Sequence, residues 1–462
     1  MKEFVLAALP WVLAGLAVAI ICAGMNKNKA GKTEKTTEHH IALGASLGLL
    51  WGVALNNCGL WDDQALGLAI GPLWGMALAT LWSDRNKAVA DEKEEERQTK
   101  THQMLMIVVF VILACLLVLF AGAWSMFGAT IKAANTVEKQ EKGLYSMEYA
   151  GDYGFDEFLK RGGASSDAAV ANYLTEFLSH GFYKVETSVS SGEYGCSTIC
   201  ISDENGDVLF GRNYDWEECS AIIVHTKPKD GYESVSTSCL DFLGFGEEYT
   251  PDGSMIDRMM TLAAIYVPLD GMNEKGLMIA DLMAGDQEET HQNTGKTDLT
   301  TTTAIRLLLD RAANVDEAIE LLKQYDMNSS IESAHHFSIA DASGKSVVVE
   351  YMDGEMFVTD AKIVTNHYLA EGEKYGVGST QSHERFDKLA QYSGYTDQEG
   401  VRKMLKSVAQ FNYPQSEGSY ERTMWSVVYT PMARAADFYF NENYEHSYIL
   451  TLSDKGGWIV SD

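Results

Sequence analysis

The sequence predicts an α+β domain with largely antiparallel sheets, preceded by an α-helical transmembrane segment. Three long uncharged apolar stretches and a shorter one lie within the first 127 of 462 residues, and no comparable run follows. Beyond residue 195 short strands and hairpin turns interleave with amphipathic helices. Charge divides the chain in the same way: 26 basic and 54 acidic residues follow position 127. That acidic excess marks a solvated, soluble body and argues against nucleic acid as a partner, since phosphate binding needs clustered Lys and Arg.

Phe4 to Met25 and Met104 to Phe127 are each long enough to cross a hydrocarbon core of ~30 Å. Between them, Ile41–Leu55 and Ala65–Trp82 read as two helices joined by a polar turn. Residues 1–127 are therefore expected to be a membrane segment of about four helices in contact with the lipid bilayer. Lys27, Lys29, Lys32 and Lys35 follow the first helix, and Arg85, Lys87, Lys93, Arg97 and Lys100 follow the third. Both loops are cytoplasmic under the positive-inside rule, which puts everything after residue 127 on the extracytoplasmic side of a multi-pass protein. Gly44, Gly48 and Gly52, like Gly67, Gly71 and Gly75, recur every four residues. Each set forms a smooth ridge suited to close packing of helices two and three, with homo-oligomerisation as the sharper alternative. No ionisable residue interrupts an apolar span, which argues against a transport pathway.

Residues 128–195 read as a linker and helical pro-segment, with Asp167 capping an amphipathic helix that carries Val170, Leu174 and Phe177. The third region, 196–462, holds the chemistry. Helices are expected over Ala304–Ala312, Val315–Tyr325 and Gln398–Phe411. A hairpin is expected over His336–Ala340 and Ser346–Tyr351, and C-terminal strands over Met424–Tyr429, Asp437–Phe440 and Tyr448–Leu452.

The informative stretch runs from Cys196 to Trp216. Asn205-Gly206 is a strong two-residue hairpin signal. That loop would set Cys196 opposite Asp215 on one face, with β-carbons ~5 Å apart. Arg212 would then fall on the other face, unless a bulge near Asn213-Tyr214 brings it round. If Cys196 becomes a chain terminus, its α-amine, with a pKa of about 7.7, can serve as the base for its own thiol. Asp215 would orient the ammonium form, and Arg212 would steady the sulfur.

These residues resemble the choloylglycine hydrolase and penicillin V acylase family of linear amide hydrolases, which are N-terminal-nucleophile enzymes. The nucleophilic Cys reaches a Gly-Arg-Asn-x-Asp run at the family spacing, here Gly211 to Asp215. Asp270 to Leu277, Thr365-Asn366 and Arg385 follow in family order. The resemblance implies an αββα sandwich over 196–462 and cleavage of the Gly195-Cys196 bond. It implies a small-molecule acyl-amide substrate and no cofactor. Cys196, Arg212, Asp215, Asn366 and Arg385 would be the catalytic set. Asn366 and the backbone N–H of Met283 would stabilise the oxyanion. Met283 stands where these hydrolases usually carry Asn or Tyr. Only 18 residues separate Asn366 from Arg385, a compactness that resembles the branch of acid ceramidase and the isopenicillin acyltransferases. The resemblance to that branch leaves open whether bile salts or penicillins are substrates.

Other residues read as structural. Cys200 belongs to the core, Glu350 is a structural carboxylate near a hairpin end, and a Cys219–Cys239 bridge is open. Adjacent His335-His336 point to opposite faces of a strand, which argues against a metal site. A membrane-tethered binding or sensory module that is never cut, and an acyltransferase using the same acyl-enzyme, are the alternative functions.

Overall fold

The computed structural model describes residues 107, 127–179, 195–245, 249–286, 288–331, 333–392, 394–416, 419–452 and 459–461. Apart from Ile107 and Phe127, the four expected membrane helices and both glycine ridges lie outside these residues. Among the described residues, no helix is long and apolar enough to cross a membrane. The chain divides into two compact units, Met1–Ile131 and Lys132–Asp462.

The second unit begins with a hairpin, β1 (Glu138–Glu141) and β2 (Leu144–Ala150), then helices α1 (Phe155–Lys160) and α2 (Asp167–Ser179). Strands β3 (Cys196–Ser202), β4 (Val208–Trp216), β5 (Ala221–Lys227) and β6 (Ser234–Cys239) follow, then helix α3 (Met255–Thr261). Next come β7 (Asp270–Asn273), β8 (Met278–Met283) and β9 (Thr297–Thr300), which feeds α4 (Thr301–Arg311) and α5 (Val315–Leu322). Strands β10 (Tyr325–Asn328), β11 (His335–Ala340), β12 (Ser346–Met352), β13 (Glu355–Asp360) and β14 (Ile363–Val364) lead to α6 (Thr380–Ala390) and α7 (Gln398–Val408). The chain closes with β15 (Tyr413–Ser416), β16 (Ser419–Thr430), β17 (Ala435–Phe440), β18 (Tyr448–Thr451) and β19 (Ile459–Ser461).

Two large sheets result, a nine-stranded one ordered β1-β2-β5-β6-β7-β8-β11-β12-β13 and an eight-stranded one along β14-β3-β4-β16-β17-β18-β19, with β15 paired to β16 off that path. Strand alternation explains how they stack. In the first sheet Ile223, Met272, Met278 and Val348 point inward to meet Cys200, Phe210, Val427 and Phe438 of the second. Ile222, Val224, Ile279 and Val349 point outward and pack under α1, α2, α4 and α5. On the far side, Ile199, Leu209 and Val428 pack under Leu389 of α6 and Val401 and Leu405 of α7. The layers therefore run helix, sheet, sheet, helix in a mixed α/β fold. Pairing is largely antiparallel, as expected, except for β2 with β5 and β9 with β10.

Of the stretch expected to be a linker and helical pro-segment, residues 138–179 pack into this body. Strand β2 runs parallel to β5 over seven residue pairs, Leu144–Ala150 against Ala221–Lys227. Phe155 and Phe158 are buried against Tyr266, and the Tyr153 hydroxyl donates to buried Asp310 at 2.6 Å. Helix α2 forms as expected, but it is the Ser166 hydroxyl that accepts a first-turn amide, from Ala169 at 3.3 Å. The Asp167 carboxylate reaches across to the Ile331 N–H at 2.8 Å.

Candidate active site around Cys196

The hairpin that presents Cys196 differs by one residue from the expected register. The loop has three residues: Asp203 N–H donates to Asp207 O at 2.9 Å, and Gly206 adopts φ 90°. Asp203 explains the choice. Its carboxylate accepts the N–H groups of both Asn205 and Asp207 at 2.8 Å, which stabilises a type I turn closed by a left-handed glycine. Cys196 therefore pairs with Tyr214, and Thr198 with Arg212. A one-residue slip exchanges the faces of a strand. It brings Arg212 onto the Cys196 face without any bulge in this hairpin, and it moves Asp215 to the position opposite Gly195, whose carbonyl accepts the Asp215 N–H at 2.9 Å.

Arg212 is fully buried, with Nη2 3.7 Å from the Cys196 sulfur. The same nitrogen donates to Asp281 O at 3.0 Å, while Nε pairs with the Asp270 carboxylate at 3.0 Å. Its guanidinium lies over the rings of Tyr214 and Trp425. Asp270 is held in turn by Trp425 Nε1 and the Tyr429 hydroxyl, which donate at 2.8 and 2.7 Å. A charged hydrogen-bond network of this kind fixes the cation beside the sulfur.

Strand β14 pairs with β3, Val364 facing Thr198, so the two residues beyond it arrive beside Cys196. Asn366 Oδ1 accepts the Cys196 N–H at 2.7 Å, and its Nδ2 donates to Met283 O at 2.8 Å. The expected oxyanion donors are thus not assembled in the uncut chain: the Asn366 amide is engaged, and Met283 meets it through its carbonyl. Arg385, on α6, donates from Nη1 to Asp215 Oδ2 at 2.7 Å and to Cys196 O at 3.0 Å, and from Nη2 to Asn366 Oδ1 at 2.8 Å. Thr423 donates to the other Asp215 oxygen at 2.6 Å. A bulge does occur beside the site, but in β16, between Thr423 and Trp425. It lets Thr423 meet Asp215 while Trp425 stacks on Tyr214.

All five predicted residues therefore converge, and the electrostatics are those of a closed site. Burial pushes the Cys196 thiol up to about 12, against the pull of Arg212. Burial likewise lifts the Asp215 carboxyl to about 7, with Arg385 opposing and Glu421 adding to the rise. With its nitrogen tied up in an amide, Cys196 has no base of its own, and its sulfur stays a neutral thiol.

Neighbouring groups are structural, as expected for Cys200 and Glu350. Glu350 accepts from the N–H groups of Leu369 and Ala370, bracing the turn that follows Asn366, and pairs with His336 at 3.0 Å. His335 points the other way, to Asp281 at 3.0 Å and to Ser330 O at 2.9 Å. Two acceptors require protons on both ring nitrogens. Burial works against the charged ring, but Asp281 outweighs it and holds the His335 pKa above the ordinary value. The stabilisation is fully present below the ordinary histidine pKa and is lost as pH rises through the folded value. Thermal stability should fall above neutrality with a slope of up to ~1.4 kcal/mol per pH unit, and His335→Gln should flatten that slope in melts run across pH. Cys219 and Cys239 remain free thiols, so the bridge left open by the sequence is not formed. Their sulfurs and the Asp241 carboxylate lie within 4.8 Å of one another, a place where a soft cation could bind.

Sequence reasoning named Asp270 only within its motif and passed over Asp281, Thr423, Trp425 and Glu421. Thr423 lies 208 residues from its partner Asp215, and Trp425 is as remote from Tyr214 and Arg212, so local pattern carries no sign of them.

Comparison with known proteins adds a family. The model of the acyl-coenzyme A:6-aminopenicillanic acid acyl-transferase family matches residues 201–445, just over half of the chain and beginning after Cys196. Penicillin V acylase from Pectobacterium atrosepticum is 29% identical over 149 residues, 29% of this chain and 35% of that protein. Bile salt hydrolase/transferase from Bifidobacterium longum subsp. longum is 30% identical over 180 residues, 37% of this chain and 54% of that protein. The chain thus spans about half or less of these curated relatives. The crystal structure of a mutant conjugated bile acid hydrolase from Clostridium perfringens aligns with a TM-score of 0.45 and 18% identity, covering 58% of this chain and 96% of that one.

Proposed function

Since this chain belongs to the acyl-coenzyme A:6-aminopenicillanic acid acyl-transferase family, we propose that it hydrolyses linear, non-peptide C–N amide bonds of N-acylated amines or amino acids. It does so through an acyl-enzyme on Cys196, within an αββα sandwich of the N-terminal-nucleophile type. One observation carries the reading. The nitrogen, carbonyl oxygen and sulfur of Cys196 are each met by a residue singled out beforehand: Asn366, Arg385 and Arg212.

Cleavage before Cys196 turns the amide into an amine that takes the thiol proton. The thiolate, steadied by Arg212, attacks the substrate carbonyl. Asn366, released from its part in the uncut chain, turns its Nδ2 to the oxyanion together with the Met283 N–H. Asp215, itself oriented by Arg385 and Thr423, holds the α-ammonium between proton transfers. The leaving amine takes a proton from that ammonium, and water then opens the thioester.

The domain stays at the membrane after the cut. What supports this is the seven-pair union of β2 with β5 and the burial of Phe155 and Phe158. Both tie the N-terminal piece to the catalytic one, and the apolar helices anchor that piece with the catalytic domain on the extracytoplasmic face. Intact-mass analysis and N-terminal sequencing test the reading. Two co-purifying fragments are expected, one starting at Cys196 and one containing residues 138–179, with turnover of a panel of acylated amino acids. A single uncut chain without turnover would sink it. Acyl transfer to an amine is the second reading, favoured by the acyl-transferase description of the matching family. Product analysis with an added amine separates it from hydrolysis.

A further inference from the structure

The peptide between Gly195 and Cys196 is held at each of its polar atoms. Gly195 O accepts the Asp215 N–H at 2.9 Å, and the Cys196 N–H donates to Asn366 Oδ1 at 2.7 Å. The next carbonyl, Cys196 O, accepts from Arg385 at 3.0 Å. The apolar side is held as well. A side-chain carbon added at 195 would overlap Glu421 Oε1 and would lie 3.0 Å from Glu421 Cδ and 3.2 Å from Arg385 Nη2. Gly195 does not adopt a left-handed φ, so space rather than backbone conformation is what requires glycine here. Glu421 is 1% exposed, and Gln381 Nε2 donates to its Oε2 at 3.3 Å. It lies in β16 two residues before Thr423, which pairs with Asp215. Nothing in the hydrolysis of an external amide uses it.

We propose that Glu421 is a positioning residue for the chain's own cleavage: its buried carboxylate and the Arg385 guanidinium pack against the α-carbon of Gly195, so that a larger residue before the scissile bond must displace them. The inference rests on the proposed activation of Cys196. In the step itself the Cys196 sulfur attacks the Gly195 carbonyl carbon, the C–N bond breaks, and the departing nitrogen takes up the thiol proton, leaving a thioester. Water then adds to that carbonyl and the C–S bond breaks. Gly195 leaves as a carboxylate, the sulfur regains a proton, and one water has been consumed. The Asp215 N–H already faces the oxygen that becomes negative in the first addition, where a fixed donor stabilises it most. Such a step is sensitive to placement, and a shift of ~1 Å can cost up to ~10²-fold. A buried carboxylate packed against the α-carbon, which any added methyl would have to push aside, therefore bears on the rate.

Five full-length chains test this, the wild type with G195A, E421A, G195A/E421A and G195A/E421Q, each followed by intact mass over time after synthesis and by thermal melting. G195A should be cut at least about tenfold more slowly than wild type. E421A should also be slowed, because Gly195 loses its wall. G195A/E421A should be cut at least about fivefold faster than G195A, since the shortened side chain vacates the space the new methyl needs. G195A/E421Q keeps the side-chain volume and should stay as slow as G195A. A purely architectural role for Glu421 predicts the reverse pattern, with the double variants slower than either single one and melting lower. Wild-type-like cutting of G195A, or no gain in G195A/E421A, overturns the proposal while leaving the activation of Cys196 standing. A wild-type chain that remains uncut overturns both.

Discussion

Cys196→Ala should leave the protein as one chain of 50.9 kDa and lower amide hydrolysis by at least ~10⁴-fold. Losing a nucleophile on which a whole catalytic unit depends costs on this scale, and the remaining groups cannot make up for it. Two readouts fall together because, in the proposed scheme, one atom serves both reactions: the sulfur would open the Gly195–Cys196 bond, and the same sulfur would accept the acyl group. The fold should survive. Cys196 lies in the apolar layer between the sheets, where alanine removes a single heavy atom, and its backbone N–H and carbonyl keep their partners Asn366 and Arg385. Intact mass, a melt and a hydrolysis assay check the three parts. A variant that still releases a fragment starting at position 196, or that turns over substrate at the wild-type rate, rules out the sulfur as the shared nucleophile.

Arg385→Ala is expected to have the second largest effect, and on stability as well as chemistry. Three acceptors depend on this guanidinium: the Asp215 carboxylate at 2.7 Å, Asn366 Oδ1 at 2.8 Å and Cys196 O at 3.0 Å. Removing it strands a carboxylate that is fully buried. Breaking a buried ion pair on one side costs about 3–5 kcal/mol. Asn366 also loses the contact that orients its side chain against the Cys196 nitrogen, so cutting before Cys196 should slow by up to ~10²-fold. Arg385→Lys should fall between, since one ammonium restores the charge but cannot span all three acceptors as a planar fork does. Denaturant unfolding and the time course of cleavage measure the two effects. A variant as stable as the parent would show that Asp215 does not depend on Arg385.

The residues of the site were legible in the sequence because they come as short motifs in a fixed order, from Cys196 through the Gly-Arg-Asn-x-Asp run to Asn366 and Arg385. Their mutual placement was less so. Asn205-Gly206 resembles a two-residue loop, yet Asp203 stands at the first position of a type I turn whose fourth is Gly206. That aspartate, with two amides on its carboxylate, decides the register and with it which face Arg212 and Asp215 occupy. The strand β2 was missed for a different reason. Tyr145-Ser146-Met147-Glu148-Tyr149 does alternate apolar with polar residues, but the run is short, and its partner β5 begins 77 positions after β2 does. Asp270 reaches Arg212 across the two sheets, and Glu421 reaches Gly195 from β16 of the sheet that also holds β3. Asp270 opens one of the short motifs, whereas no motif surrounds Glu421.

The parallel seam between β2 and β5 has a consequence for the life of the mature enzyme. A domain cut before Cys196 is held together across a gap in its own covalent thread, with one piece contributing β1, β2, α1 and α2 and the other the remainder. Its unfolding then yields two molecules, so reassembly becomes a matter of encounter and its midpoint moves with concentration. The uncut form can be remade from a single chain; the proposed cut form, once melted and diluted, would have to find its missing strand again.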